Sequence, residues 1–111
     1  MGFPKFIIRK SSNNQFYFNL YAVNGEVILN SETYTTKQNC IGGITSVKVH
    51  APYDNNYVRK VASNGQYYFN LKATNSEVIG TSEMYNSAQA RDNGINAVKR
   101  DAPIADTEDN S

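Results

Sequence analysis

The sequence predicts an α+β protein in which two tandem β-β-β-α units share one antiparallel sheet, with two helices packed on one face and a pseudo-two-fold axis between the units. Three observations support this prediction. The segment 63–103 matches the segment 12–52 without a gap, and 22 of the 41 aligned residues are identical. Apolar and polar residues alternate early in each unit, which is the period of a strand. Later in each unit the apolar residues recur at helical spacing.

The two units are expected to form a single domain, residues 1–111. Each repeat, about 3–52 and about 57–103, is near the size at which a separate core becomes marginal. Two copies are also too few for a solenoid, which needs about three or more to bury its faces. We therefore expect the two units to close on each other around one shared core, like a dimer fused into one chain.

Three strands are predicted in each unit, and they form an antiparallel meander. The candidates are 6–10, 15–22 and 26–30 in the first unit and 57–61, 66–73 and 77–81 in the second. Asn24-Gly25 predicts a tight two-residue turn with positive φ at Gly25 between the last two strands of the first unit, and Asn75-Ser76 is a weaker signal for the same turn in the second. Within the second strand of each unit, the apolar set should face the core. The side chains expected on the opposite face are Tyr17, Asn19, Tyr21, Tyr68, Asn70 and Lys72.

One helix follows the strands in each unit, over about 36–49 and about 87–100. Thr35-Thr36 and Asn86-Ser87 are residue types favoured at a helix N-cap. An Ala-Pro pair ends each pattern, because a residue that precedes proline avoids the helical region. Gly43 and Gly94 lie on the buried stripe of the two helices, so we expect a close approach there that a side chain would prevent.

Charge and composition exclude several classes of function. Residues 1–103 hold all 11 basic and 7 of the 10 acidic residues, so the body is only mildly basic and nucleic acid is not expected as a partner. The segment 104–111 is acidic and is predicted to be disordered. No stretch is long and apolar enough for a membrane span. A monomer in the bacterial cytoplasm is the expected state.

Cysteine and histidine give no metal or cofactor site. Cys40 is the only cysteine and His50 the only histidine, and neither is repeated in the other unit. Without a spaced set of ligands, no metal site is predicted. No glycine-rich phosphate loop is present either, so no cofactor is predicted.

Catalysis would have to come from the segment after the third strand. The candidate cleft residues, near the predicted axis, are Ser31, Glu32, Ser82 and Glu83. Two carboxylates brought together by the pseudo-symmetry could share a proton. However, no histidine is placed to activate either serine. We interpret these residues as types that end a strand and lead into a helix, and we predict no catalytic residue.

With these residues laid out, the chain resembles the YegP-like family of small bacterial proteins, which contain one or two copies of a domain of unknown function. The matching segments are FNLKATNSEVIGTSEMY and ARDNGINAVK in the second unit, and FNLYAVNGEVILNSETY and GGITSVK in the first. The resemblance covers about residues 3–103. It implies two meander-plus-helix units in one sheet, and no established activity or catalytic residue.

The function expected from the sequence is that of a small non-enzymatic binding module whose partner is unknown and could be a protein or a peptide. If the helices cover one face, the tyrosines and amides of the other face are open for binding. Two alternatives remain open. One is an enzyme or small-ligand protein with a cleft near the axis, and the other is weak nucleic-acid binding through the open sheet face.

Overall fold

The computed structural model describes residues 2–111, which form one seven-stranded sheet and two helices. The strands are β1 (Lys5–Lys10), β2 (Phe16–Tyr21), β3 (Val27–Asn30), β4 (Tyr57–Val61), β5 (Tyr67–Lys72), β6 (Val78–Thr81) and β7 (Asp106–Asp109). The helices are α1 (Lys37–His50) and α2 (Ala88–Asp101), each followed by a short 3₁₀ turn. The predicted α+β class and the single shared sheet are confirmed.

Six of the seven strands are arranged symmetrically about the centre of the sheet. The strand order is β4-β5-β6-β3-β2-β1-β7, so the meander of one unit continues into the meander of the other. The units meet where β3 pairs antiparallel with β6, through Asn30 and Thr81. A register shift follows Leu20 in the first unit and Leu71 in the second. The two units therefore share their strand pairing and the position of their register shift as well as their sequence.

Both helices pack on the same face of the sheet and cross its centre. Phe18 and Leu20 of β2, and Phe69 and Leu71 of β5, are fully buried, as their alternation predicts. Helix α1 contacts β2 of its own unit and β5 and β6 of the other, and α2 contacts β3 and β5. Each helix thus covers strands of both units, which is the shared core expected from the sequence.

The helices begin where their caps predict. Thr36 Oγ1 accepts a hydrogen bond from the Asn39 N–H at 3.1 Å. Ser87 Oγ accepts one from the Ala90 N–H at 3.0 Å. Each bond satisfies a main-chain donor in the first turn that has no partner within the helix.

At the centre of the sheet the equivalent positions Leu29 and Gly80 differ greatly in size. Leu29 is fully buried. A Cβ atom placed on Gly80 would lie 2.5 Å from Cδ2 and 2.6 Å from Cγ of Leu29, far inside van der Waals contact. The Leu29 side chain therefore fills the space that any side chain at position 80 would need. Only one of the two units can carry a large residue here.

The acidic tail is ordered, which corrects the prediction of disorder over 104–111. Its strand β7 pairs in parallel with the outer edge of β1, so the sheet is mixed and not wholly antiparallel. Lys5 Nζ lies 2.7 Å from Glu108 Oε1, and Lys37 Nζ lies 2.7 Å from Asp109 Oδ2. Composition alone indicated a solvated tail because the lysines that pair with its acids lie far away in the sequence.

The hairpin loops contain three residues and not the predicted two. Between β2 and β3, the Gly25 N–H donates to the Ala22 carbonyl at 2.9 Å, and the Ala22 N–H donates to the Glu26 carbonyl at 2.8 Å. Gly25 has φ 84°, and Ser76 at the equivalent place has φ 70°. This is the arrangement of a turn followed by a left-handed residue. The turn type was predicted wrongly, but the need for positive φ was predicted correctly.

Ser76→Gly should leave the free energy of unfolding unchanged or raise it by up to about 1 kcal/mol, because glycine adopts left-handed backbone without the steric cost of a Cβ atom. Gly25→Val is the opposite control. It should cost about 1–2 kcal/mol, because a β-branched residue fits positive φ badly. Urea unfolding of both variants measures the difference, and a clear loss of stability in Ser76→Gly would contradict this account of the loop.

Gly43 and Gly94 allow a tyrosine ring to lie against each helix. A Cβ atom placed on Gly94 would lie 2.5 Å from Oη and 2.8 Å from Cζ of Tyr85, and Gly43 meets Tyr34 in the same way. Burial is the main cause that raises the pKa of both phenols. Gly42, by contrast, has no neighbour that a Cβ atom would contact. The close approach predicted for the two repeated glycines is present, and its partner is a tyrosine.

Gly42→Ala and Gly94→Ala should change stability in opposite directions. At Gly42 the gain is that of helix propensity, a few tenths of a kcal/mol up to about 1 kcal/mol. At Gly94 the displaced tyrosine ring should cost roughly 1–3 kcal/mol, which exceeds the gain in propensity. Chemical denaturation decides between them. Equal stabilisation by the two alanines would mean that Tyr85 moves aside without cost.

Candidate functional site

A row of side chains crosses all seven strands on the face of the sheet opposite the helices. Strand register places its members side by side, because paired residues point to the same face. From β4 to β7 the row consists of Val58, Asn70, Thr81, Asn30, Asn19, Ile7 and Glu108. We call these seven residues the central row. Its middle is polar, and an apolar residue follows on each side.

Hydrogen bonds between side chains hold the middle of the central row. Asn19 Nδ2 donates to Asn30 Oδ1 at 2.7 Å, and Asn70 Nδ2 donates to Thr81 Oγ1 at 3.0 Å. Asn30 Nδ2 also donates to Glu83 Oε2 at 2.7 Å. Asn70 is only 7% exposed, so its neighbours largely cover it. The amides are therefore fixed in orientation before anything binds.

Three tyrosines flank the central row. Tyr17 and Tyr21 lie on β2 and Tyr68 lies on β5, and all three are half-buried. Tyr21 Oη accepts a hydrogen bond from Arg9 Nη2 at 2.8 Å. The Tyr21 ring also lies 5.6 Å from the ring of Phe3, which is 44% exposed. The face therefore offers aromatic surface beside its polar middle.

Charges on this face are mixed in sign. Lys5 Nζ bonds Glu108 Oε1 at 2.7 Å, and this bond is the main cause that lowers the pKa of the Glu108 carboxyl. Asp106 pairs with Lys5 in register, which adds a second acid at that edge. Lys60 and Lys72, on β4 and β5, form no ion pair within residues 2–111. The face is not a continuous basic surface.

The structure gathers all six residues of the predicted surface on one face. They are Tyr17, Asn19, Tyr21, Tyr68, Asn70 and Lys72. Sequence analysis missed Asn30 and Thr81, which complete the row between the two units. Both residues are at the end of the third strand of their unit, and this shared position could have indicated that they belong to the same surface. The pairing of β3 with β6, which joins them, could not be inferred from the repeat alone.

The predicted cleft serines support the main chain. Ser31 Oγ accepts a hydrogen bond from the Phe18 N–H at 2.8 Å and donates to the Glu32 carbonyl at 2.7 Å. Ser82 makes the equivalent bonds at 3.0 Å and 2.7 Å. Both hydroxyl protons are thus already donated to carbonyl oxygens. Neither serine is arranged as a nucleophile beside a general base.

The two predicted carboxylates lie in different surroundings. Glu32 lines an open cavity of about 290 Å³ beside the β3–β6 seam, together with Ser31 and Val78. Glu83 instead accepts the hydrogen bond from Asn30 on the central row. The cavity is at the small end of the range for ligand pockets, and Glu32 is the only carboxylate in its lining. This geometry lacks the second acid or base that the catalytic alternative requires.

Cys40 and His50 have structural surroundings. Cys40 is fully buried, and burial raises the pKa of its thiol to about 11, so the thiol stays protonated at neutral pH. His50 Nε2 accepts a hydrogen bond from the Thr74 N–H at 3.1 Å. Within residues 2–111, no cluster of three or more His, Cys, Asp or Glu residues could hold a metal ion. Over the same residues, neither helix combines the length and hydropathy needed to cross a membrane.

The fold and this face define a class of protein: a duplicated α+β unit whose helices cover one side of a continuous sheet and leave a polar, aromatic side open. The chain belongs to the family described as "Domain of unknown function (DUF1508)", whose model matches it twice, at residues 11–57 and 62–109. Each match begins before the second strand of a unit and includes its helix. The resemblance to YegP-like proteins is thereby confirmed.

Relatives with full-length similarity carry no assigned function. The chain is 49% identical over 106 residues to UPF0339 protein YegP of Escherichia coli K12, covering 96% of both chains. It is 51% identical over 104 residues to a UPF0339 protein of Bordetella pertussis, covering 94% of both. The solution NMR structure of a UPF0339 protein from Shewanella oneidensis superposes with a TM-score of 0.89 at 48% identity, covering 95% of this chain and 89% of the other. The solution NMR structure of E. coli yegP, titled a protein of unknown function, gives 0.90 at 49% identity, covering 96% and 91%.

Proposed function

We propose that this chain is a non-enzymatic binding module that docks another protein on the open face of its sheet. The observation that carries the proposal is the central row, whose hydrogen-bonded amides are flanked by the half-buried rings of Tyr17, Tyr21 and Tyr68. Tyrosine supplies a large contact area and a polar group at little cost in rotamer entropy, and it is enriched in protein interfaces.

Pre-organisation favours a protein partner of fixed shape. Because Asn19, Asn30 and Asn70 are already held by side-chain bonds, docking does not have to order them. Val58 adds partly exposed apolar surface on the β4 side of the polar middle, whereas Ile7 on the other side is only 7% exposed and adds little. An apolar and aromatic area around fixed polar groups is the arrangement found in specific interfaces.

Charge argues against nucleic acid as the partner. A polyanion gains its affinity from unpaired lysines and arginines that replace counterions. On this face Glu108 pairs with Lys5. This leaves Arg9, Lys60 and Lys72 as separate cations on three different strands and not as a continuous basic track. Glu83 and Asp106 would also repel phosphate groups.

The proposal places the protein in the cytoplasm, where a lone reduced cysteine is ordinary.

The test is affinity capture from native bacterial lysate with the wild-type chain and with a Tyr17→Ala/Tyr68→Ala double variant. Proteins captured by the wild type should be identified by mass spectrometry, purified and titrated against both forms. We expect the double variant to bind at least about tenfold more weakly, as for interface tyrosines that contribute 1–2 kcal/mol or more.

The control is Ile41→Ala, which removes an exposed apolar side chain, 42% exposed, from helix α1 on the other side of the sheet. It should bind as the wild type does. A partner that binds the double variant unchanged but loses affinity with Ile41→Ala would place the interface on the helices and overturn the proposal. Affinity that falls steeply with salt and extends to single-stranded RNA would support the nucleic-acid alternative instead.

A further inference from the structure

The outer strands of the two units occupy equivalent positions in the sheet, but only one of them is covered. Strands β1 and β4 occupy the same place in the two units, because Phe6 pairs with Leu20 as Tyr57 pairs with Leu71. The acidic strand β7 covers the outer edge of β1. Within residues 2–111, no strand covers the outer edge of β4. The pseudo-symmetry therefore defines an eighth strand position that the chain does not fill.

The main chain of β4 presents the groups that such a strand would use. On β1, the Ile8 carbonyl points outward and accepts a hydrogen bond from the Asn110 N–H at 2.8 Å. Arg59 is the equivalent of Ile8 on β4, and its N–H and carbonyl point outward in the same way. Edge groups of this kind are a template for an added strand.

Side chains along this edge select for negative charge. Lys60 lies on β4 without an ion pair among the described residues. Arg59, Arg91 and Lys99 lie nearby and share only two acids, of which Asp54 bonds Arg59 and Lys99 at 3.1 Å and 2.7 Å. The edge of β4 therefore carries an excess of positive charge. The strand that occupies the equivalent edge, β7, has the sequence DTED.

We propose that the outer edge of β4 binds an extended acidic peptide segment of another protein, added as an eighth strand parallel to β4. The orientation follows from β7, which runs parallel to β1. This site differs from the docking surface proposed above, because it uses the outward main-chain groups of β4 and the Lys60 side chain at the edge and not the amides of the central row.

A second copy of this chain, joined edge to edge, fits less well. Two β4 strands paired antiparallel would bring Arg59 and Lys60 of one copy against the same residues of the other. Like charges across a strand pair are destabilising. An acidic segment would be attracted by these positive charges, whereas the β4 strand of a second copy would be repelled by them.

The test uses the full chain, ¹⁵N-labelled, and a synthetic peptide with the sequence of residues 104–111, IADTEDNS. Titration should shift the amide signals of β4 in a saturable manner and should slow hydrogen exchange at the Arg59 N–H. A control peptide in which the three acids are replaced by their amides should bind about tenfold more weakly, since it lacks the charge-assisted contacts. Absence of binding by the acidic peptide overturns the proposal, as does equal binding by both peptides.

Variants locate the peptide. Arg59→Pro removes the outward N–H, and proline is tolerated at such a position on an edge strand, so binding should be lost while the spectrum stays dispersed. Lys60→Glu keeps the main chain and should weaken binding about tenfold, whereas Lys72→Glu makes the same charge change one strand inward and should not. If Arg59→Pro does not fold, the two lysine variants decide the question alone.

Two further outcomes separate this site from its neighbours. Shifts confined to Phe6 and Ile8 would mean that the peptide displaces the tail from β1, and they would overturn the proposal. The Tyr17→Ala variant should bind the peptide like the wild type, because its strand β2 lies four strands from the edge of β4. Loss of peptide binding in that variant would place the peptide on the open face instead and overturn the edge site.

Discussion

Residues 1–53 produced alone should not fold as a monomer, and they should fold when mixed with residues 54–111. Helix α1 packs on β5 and β6 as well as on β2, so the isolated first unit would expose much of its apolar face. A chain of about 50 residues buries too small a fraction of its surface to compensate for that loss. The expected result is loss of cooperative unfolding in either half and recovery of it in the mixture.

The packing at the centre of the sheet also disfavours a homodimer of either half. A dimer of the first unit would place a second leucine where Gly80 now leaves room for Leu29, and the Gly80 Cβ position is already only 2.5 Å from that side chain. A dimer of the second unit would leave a void at the same place. Circular dichroism and sedimentation of each half, alone and mixed, test both statements. A cooperatively folded monomer of residues 1–53 would show that the core is not shared.

Leu29→Gly and Gly80→Leu should each destabilise the chain strongly, and the two together should not. Leu29→Gly leaves a cavity in a fully buried position and adds a glycine to a strand, which together should cost about 3–5 kcal/mol. Gly80→Leu forces a large side chain against Leu29 and should cost about 3 kcal/mol or more.

The double variant moves the leucine to the other side of the axis and keeps the total volume. Such swaps usually cost less than about 1.5 kcal/mol, so most of the stability should return. Urea unfolding of the wild type, both single variants and the double variant gives the coupling energy. Additive losses in the double variant would show that Leu29 and Gly80 do not share one space.

The strands and helices of this fold could be predicted because the sequence pattern of each one is present in both units. Thr36 and Ser87 fix the beginning of each helix through a hydrogen bond three residues along the chain, which is a local interaction. The alternation around Phe18 and Phe69 fixes the buried face of the strands in the same local way. Signals of this kind need no knowledge of the tertiary fold.

The features that could not be predicted depend on contacts between distant segments. The tail is ordered by main-chain pairing of β7 with β1 and by ion pairs to Lys5 and Lys37, and all of these contacts join segments that are far apart in the sequence. For the candidate site, Tyr17 and Tyr68 could be assigned to a face from their strand period. Asn30 and Thr81 could not be joined to them, because the pairing of β3 with β6 is set by how the units close.

The pairing of β7 with β1 also has a consequence for synthesis in the cell. Lys5 and Glu108 are separated by 103 positions. Ribosomes add about 5–20 residues per second, so the outer edge of β1 lacks its partner for roughly 5–20 s. Uncovered edge strands recruit other chains during that interval. Substitutions in the tail should therefore reduce the yield of soluble protein from growing cells more than they reduce the stability of the purified chain.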